Sequence, residues 1–241
     1  MSQLDTLGLG GYTLGRMATT NWQRQIRQVR LIERFDAVLY PIDLFGLFDR
    51  LPSEGWIVQR SEEEERGLLV TPPVKGNVQL RVDQLNKILG ISGKDIAETL
   101  SNYRAIRALS REFLRPSSMV QTDYVEFRYI GTIEGRNSPL DVFARWWAMN
   151  GRISRLGELL SERLPSDAKL MSPYGIRFAP IGLDANRPNW SELAIFPDAI
   201  AGQSRYSFDL LFRNEDSEIT ERVAESADEI IESTLKVLEQ T

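Results

Sequence analysis

Carboxylates are the first residues to weigh for chemistry in this chain, because its 241 residues include neither histidine nor cysteine. Asp43 and Asp141 sit in two similar segments, PIDLFGLF at 41–48 and PLDVFARW at 139–146. Two carboxylates brought together across a pseudo-twofold could share a proton as an acid–base dyad. Each also lies just after a proline that can open a helix, where a carboxylate satisfies free N–H groups at the positive helix end. Capping is therefore the expected role of both. Glu62–Glu65 is a run of four acids. Adjacent side chains of an extended chain point to alternate sides, so the run reads as a solvated loop and not as a metal site.

The missing residue types exclude whole reaction classes within the chain. Without Cys there is no disulfide, thiol nucleophile or thiolate-held zinc or iron–sulfur site. Without His there is no Ser-His-Asp triad, no H-E-x-x-H site and no zinc deaminase centre. Carboxylate, Lys and Tyr chemistry, oxygen-ligated Mg or Ca, and pure binding remain. Gly8, Gly10, Gly11 and Gly15 suggest a phosphate loop, but Thr13 stands where G-x-G-x-x-G needs its third glycine. Residues 1–25 are read instead as a flexible lead-in. No catalytic residue, metal site or cofactor is expected.

Binding residues are easier to nominate. Arg104, Arg107, Arg111 and Arg115 follow steps of 3, 4 and 4, which puts them on one helix face. Such a stripe fits a solvated or cross-paired face, or a site for an anionic partner: RNA, DNA or an acidic protein surface. A natural pairing surface exists, since residues 215–241 carry nine acids and two bases in a chain of net charge −5. No aromatic stacking cluster accompanies the stripe, and the overall acidity weakens non-specific phosphate attraction, so nucleic acid is not the favoured partner. Trp146 and Trp147 are adjacent, and helical neighbours differ by about 100°. Trp147 is thus either half exposed as a partner contact or buried beneath Ile153, Leu156 and Leu159.

The elements that must position these residues repeat. At a constant offset of 98, Pro41, Asp43 and Phe45 match Pro139, Asp141 and Phe143, and Arg30 and Ile32 match Arg128 and Ile130. The first half reads as a β-rich stretch at 26–39, a short helix at 42–51, strands at 56–60, 67–71 and 77–85, and a long helix at 94–115. The second reads as a strand at 123–134, a short helix at 139–149, an extra helix at 152–163, strands at 169–180, 190–197 and 206–213, and a long helix at 217–239. The expected fold is α+β: two pseudo-repeated β-α-β-β-β-α halves, 26–116 and 117–241, each an antiparallel sheet packed on its own long helix. Phe45 and Phe143 are expected at equivalent buried positions. No run approaches the roughly 18 apolar residues of a membrane span, and the N-terminus lacks the pattern of a signal peptide. A cytoplasmic protein away from the membrane is expected.

Three stretches carry a family resemblance: Val78–Val82 before the helix at 94–115, Val125–Gly131, and Tyr206–Arg213 running into the acidic last helix. Through them the chain resembles a sporadically distributed, uncharacterised bacterial protein family of about this length. It departs from that pattern at the N-terminus and in the 150–165 insertion. The resemblance implies no known activity, and the family's patchy distribution implies mobile or antiviral defence-associated gene neighbourhoods. The first functional expectation is a non-enzymatic protein-interaction or scaffold subunit, with Arg104, Arg107, Arg111, Arg115 and Trp147 as partner-binding residues and a homodimer as one form of partner. The second is a grip that binds or turns over a small molecule. The third is a nucleic-acid-binding accessory protein.

Overall fold

The computed structural model describes residues 23–59, 71–115, 120–163, 174–182, 184–198 and 204–240. The elements run β1 (Arg24–Asp36), α1 (Leu44–Arg50), β2 (Val74–Lys75), β3 (Val78–Asp83), β4 (Ile88–Gly93) and α2 (Ile96–Arg111). They continue with β5 (Gln121–Glu134), α3 (Pro139–Ala148), α4 (Gly151–Arg163), β6 (Ile176–Phe178), β7 (Trp190–Pro197), β8 (Arg205–Asn214), α5 (Ser217–Glu225) and α6 (Ala227–Glu239). A 3-10 turn at Leu51–Glu54 extends α1.

Among the described residues the strands form one antiparallel sheet in the order β2-β3-β4-β1-β5-β8-β7-β6. This corrects the expectation of a separate sheet in each half. The long central strands β1 and β5 pair with each other, so neither presents an open edge that would have to be covered some other way. The pairing already includes Arg24 and Gln25, opposite Ile133 and Thr132, so the lead-in ends before residue 25. Its residues 1–22, like the acidic run Glu62–Glu65, lie outside the described residues.

Strand alternation sorts the side chains onto two faces. Val29, Leu31 and Phe35 of β1 face one side, as do Val125, Phe127 and Tyr129 of β5 and Tyr206, Phe208 and Leu210 of β8. The helices cover that side. Leu100, Tyr103 and Ile106 of α2, Val142 and Phe143 of α3, and Ala224, Ile231 and Leu235 of the last two helices join the same apolar cluster. A fully buried Leu or Phe contributes about 1.5–3 kcal/mol, which makes this layer the main source of stability. Among the described residues no helix layer covers the opposite side, which carries charged and polar side chains together with Ile32 and Ile88.

Helix starts follow side-chain chemistry. Asp95 caps α2 by accepting the Glu98 N–H at 2.7 Å, and Asp216 caps α5 by accepting that of Glu218 at 2.8 Å. Thr99 and Thr220 in the following turns are both fully buried. The single long C-terminal helix expected at 217–239 is divided at Ser226, whose hydroxyl donates to the Arg222 carbonyl at 3.0 Å. Such back-bonding competes with the helical ladder and bends it.

Other expectations change. The strand at 56–60 reduces to an isolated bridge between Ile57 and Val74, while β4 is a strand that the sequence did not announce. Of the strand expected at 67–71, residues 67–70 lie outside the description, and of 169–180 only Ile176–Phe178 is described as strand. Phe143 is 1% exposed, whereas Phe45 is 71% exposed, so the two phenylalanines do not occupy equivalent environments. Among the described residues, no helix is long and apolar enough to cross a membrane.

Candidate functional site

Asp43 and Asp141 behave as helix-start residues. Asp43 accepts the Phe45 N–H at 3.1 Å as the cap of α1. Asp141 is exposed in the first turn of α3, whose cap position is Ser138. Among the described residues, no group of three acids is placed to hold a metal ion. Replacing Asp43 with Ala should cost about 0.5–2 kcal/mol in urea unfolding, the usual loss of a cap. Asp141→Ala should cost less, about 0.3–1 kcal/mol, because it removes only a charge near the helix end.

The arginine stripe of α2 turns toward the protein's own acids. Arg104 donates from Nε to Glu221 at 2.7 Å and from Nη2 to Glu225 at 2.8 Å, which ties α2 to α5. The hydrogen bonds to Glu225 and to Glu221 raise the Arg104 pKa above its ordinary value. Arg107 reaches Glu33 at 3.2 Å and the Ser217 hydroxyl at 2.8 Å, and Arg111 reaches Glu33 at 3.4 Å. Thr122 donates to the same Glu33 at 2.5 Å. Glu33 is 1% exposed on β1 beneath α2. Arg115 lies beyond the end of α2, and its backbone N–H donates to the Pro41 carbonyl at 2.9 Å. Arg104 and Arg111 keep about half of their side-chain surface in water, so their individual pairs contribute only about 0–1 kcal/mol.

Trp147 is half-buried against the apolar cluster, and its buried indole N–H has no hydrogen-bond partner among the described residues. Trp146 donates from its indole to the Leu238 carbonyl at 3.2 Å, anchoring α3 to α6. The inserted helix α4 packs mainly on α3. Among the described residues, none of its side chains joins the apolar cluster. Instead Leu156 is 52% and Leu159 48% exposed, with Leu160, Met149 and Leu140 also presented to solvent. Ile153, Leu156 and Leu160 recur at helical spacing, so α4 carries an apolar stripe that its own fold does not bury.

The helix-free face of the sheet is an ion-pair surface that sequence reasoning missed. Glu126 on β5 is 4% exposed although it lies on this face. Arg30 of β1 donates to its Oε1 at 2.5 Å, and Arg213 of β8 donates to its Oε2 at 2.7 Å. The Arg213 guanidinium also lies 4.4 Å from the Tyr124 ring centre and bonds the carbonyls of Ala185 and Arg187. Beside this triad, Arg128 grips Asp209 through two bonds of 2.6 and 3.0 Å. The signal was present as Arg and Glu alternating with apolar residues in Val29–Ile32 and Val125–Ile130. What it lacked was any indication that the charges neutralise one another across strands.

Three tyrosines point from the sheet and α2 into the helix layer. Tyr129 donates to Asp228 of α6 at 2.6 Å and Tyr206 to Glu239 at 3.3 Å. Burial is the main cause raising both phenol pKa values, and the neighbouring carboxylates add to it. Tyr103 is raised chiefly by burial, and among the described residues its hydroxyl has no partner. The phenols of Tyr129 and Tyr206 clip the sheet to α6. No family model matches the chain, and no curated protein matches it.

Proposed function

We propose that the chain is a non-enzymatic protein-interaction subunit and that α4 is its contact element. The observation that carries this reading is the exposed apolar stripe of α4, a helix that packs on α3 yet adds no side chain to the core. Contiguous exposed apolar surface of this kind marks protein contacts. The chemistry that fits is a second amphipathic helix laid along the stripe, with Leu156 and Leu159 as anchors and Trp147 at its base. Arg152 and Arg155 near the start of α4, and Glu158 and Glu162 near its end, mix both charge signs along the helix. Attraction would therefore rest on apolar burial more than on net charge. The family resemblance adds the expectation of a bacterial, defence-associated assembly.

The reading extends to the scaffold: the two halves are diverged copies of one β-α-β-β-β-α unit. Support comes from the strand order, which mirrors itself about the β1–β5 pair, and from Arg30 pairing with Arg128 at the offset of 98. Thr99, Tyr103, Ile106 and Ser110 of α2 and Thr220, Ala224, Ala227 and Ile231 are buried at a constant offset of 121. The differing burial of Phe45 and Phe143 counts against the repeat. On this reading α4 has no counterpart in the first half, and its surface is an addition to the scaffold.

Co-purification from the native host tests the function. Leu156→Glu combined with Leu159→Glu should abolish capture of the native partner and leave the thermal midpoint unchanged, since neither side chain is buried. Self-association through α4 would appear as a dimer by light scattering that the same variant converts to monomer. Capture unaffected by the double change, together with unchanged mass, would refute the reading.

A further inference from the structure

The helix-free face holds a groove that the protein-interaction reading does not use. It encloses about 550 Å³, within the roughly 300–1,000 Å³ range of small-molecule sites. It lies over β3, β4 and β1 and is lined by Arg30, Ile32, Gln79, Arg81, Asp83 and Ile88, among others. Arg81, Gly90 and Ile32 stand opposite one another on the three strands. Gly90 between them is buried, and Ile32 leans over it. Gly90 is required there: a Cβ would come within 2.3 Å of the Leu31 carbonyl oxygen and 2.6 Å of Ile32 Cγ2.

The polar groups around the groove are unequally satisfied. Asp83 is held within the β3–β4 turn, where its two oxygens accept the Asn86 backbone N–H at 2.9 Å and side-chain amide at 2.7 Å. Arg30 spends Nη2 on Glu126, but its Nε is buried without a partner. Arg81 is exposed at the groove, and among the described residues its side chain makes no hydrogen bond or ion pair. The unpaired guanidinium of Arg81 thus stands beside the apolar surface of Ile32 and Ile88, with the Glu126-bound Arg30 also lining the groove. Planar guanidinium groups match carboxylate and phosphate oxygens.

We infer that this groove binds a small organic anion, its phosphate or carboxylate held by Arg81 with Arg30 and its apolar body resting on Ile32 and Ile88. The inference does not depend on α4 or on a protein partner. Phenyl phosphate is the probe, followed by isothermal titration and by amide shifts of Arg81 and Gly90, with inorganic phosphate and an oligothymidylate as comparisons. Phenyl phosphate should bind saturably at one site, at least about tenfold more tightly than inorganic phosphate, because the latter lacks the apolar body. Arg81→Gln should weaken it about tenfold without changing the thermal midpoint, since one charge-assisted contact is lost at an exposed position. Arg152→Gln on α4 should leave binding unchanged. No saturable binding of phenyl phosphate, or binding indifferent to Arg81→Gln, would overturn the proposal. So would preferential binding of the oligonucleotide with steep salt dependence, which would make the face a nucleic-acid surface instead.

Discussion

Replacing Glu126 with Gln is expected to destabilise the protein by about 3–5 kcal/mol. The carboxylate is 4% exposed and is shared by Arg30 and Arg213, whose side chains are themselves mostly buried. Removing its charge leaves two guanidinium groups close together with no counter-ion, and desolvated charge is costly when unpaired. In a chain of this size the thermal midpoint should fall by about 10 °C. The companion experiment replaces all three members, Arg30→Met, Glu126→Leu and Arg213→Met. Because the pairing largely offsets desolvation rather than adding to stability, the triple replacement should recover most of the loss. A Glu126→Gln cost under about 1 kcal/mol would mean that the triad behaves as an ordinary surface pair.

The second large effect separates the two short helices. Phe143→Ala should cost about 3–5 kcal/mol, the usual penalty for emptying an aromatic site in a packed core. Phe143 is 1% exposed and meets the Tyr206 ring edge-on at 6.1 Å. Phe45→Ala should change stability by no more than about 0.5 kcal/mol, as for a surface position. Urea unfolding of both variants checks the contrast. Equal costs at the two sites would show that α1 and α3 pack alike, contrary to the structure.

That contrast shows what could be read in advance. The matched segments around Pro41 and Pro139 correctly suggested two short helices, and both α1 and α3 exist. Sequence matching could not say which face of α1 meets the core, because that depends on the neighbouring turn and on Phe113, Leu114 and the sheet beneath. β7 and β8 were legible because Trp190–Pro197 and Tyr206–Arg213 are dense in β-favouring residues, the second in strict alternation. β4 was not, because Ile88–Gly93 is apolar on one face and broken by Gly90 and Ser92 on the other, leaving no period to detect. The arginine spacing on α2 was plain, but its partner Glu33 lies more than seventy positions away in sequence, on a strand where an acid ordinarily signals solvent. The same ambiguity hid Glu126. The apolar positions of α4 were visible too, and only the tertiary arrangement shows that Leu156 and Leu159 stay about half exposed.

The proposal that α4 is a protein-contact element is tested most directly by site-specific photo-crosslinking in the native host. A photo-reactive side chain replaces Leu156 in one version and Val237, an exposed apolar residue of α6, in another. Irradiation at position 156 should give one discrete covalent adduct, with a single partner protein or with a second copy of the chain, and position 237 should give none. No adduct at position 156, or the same adduct from both positions, would contradict the account.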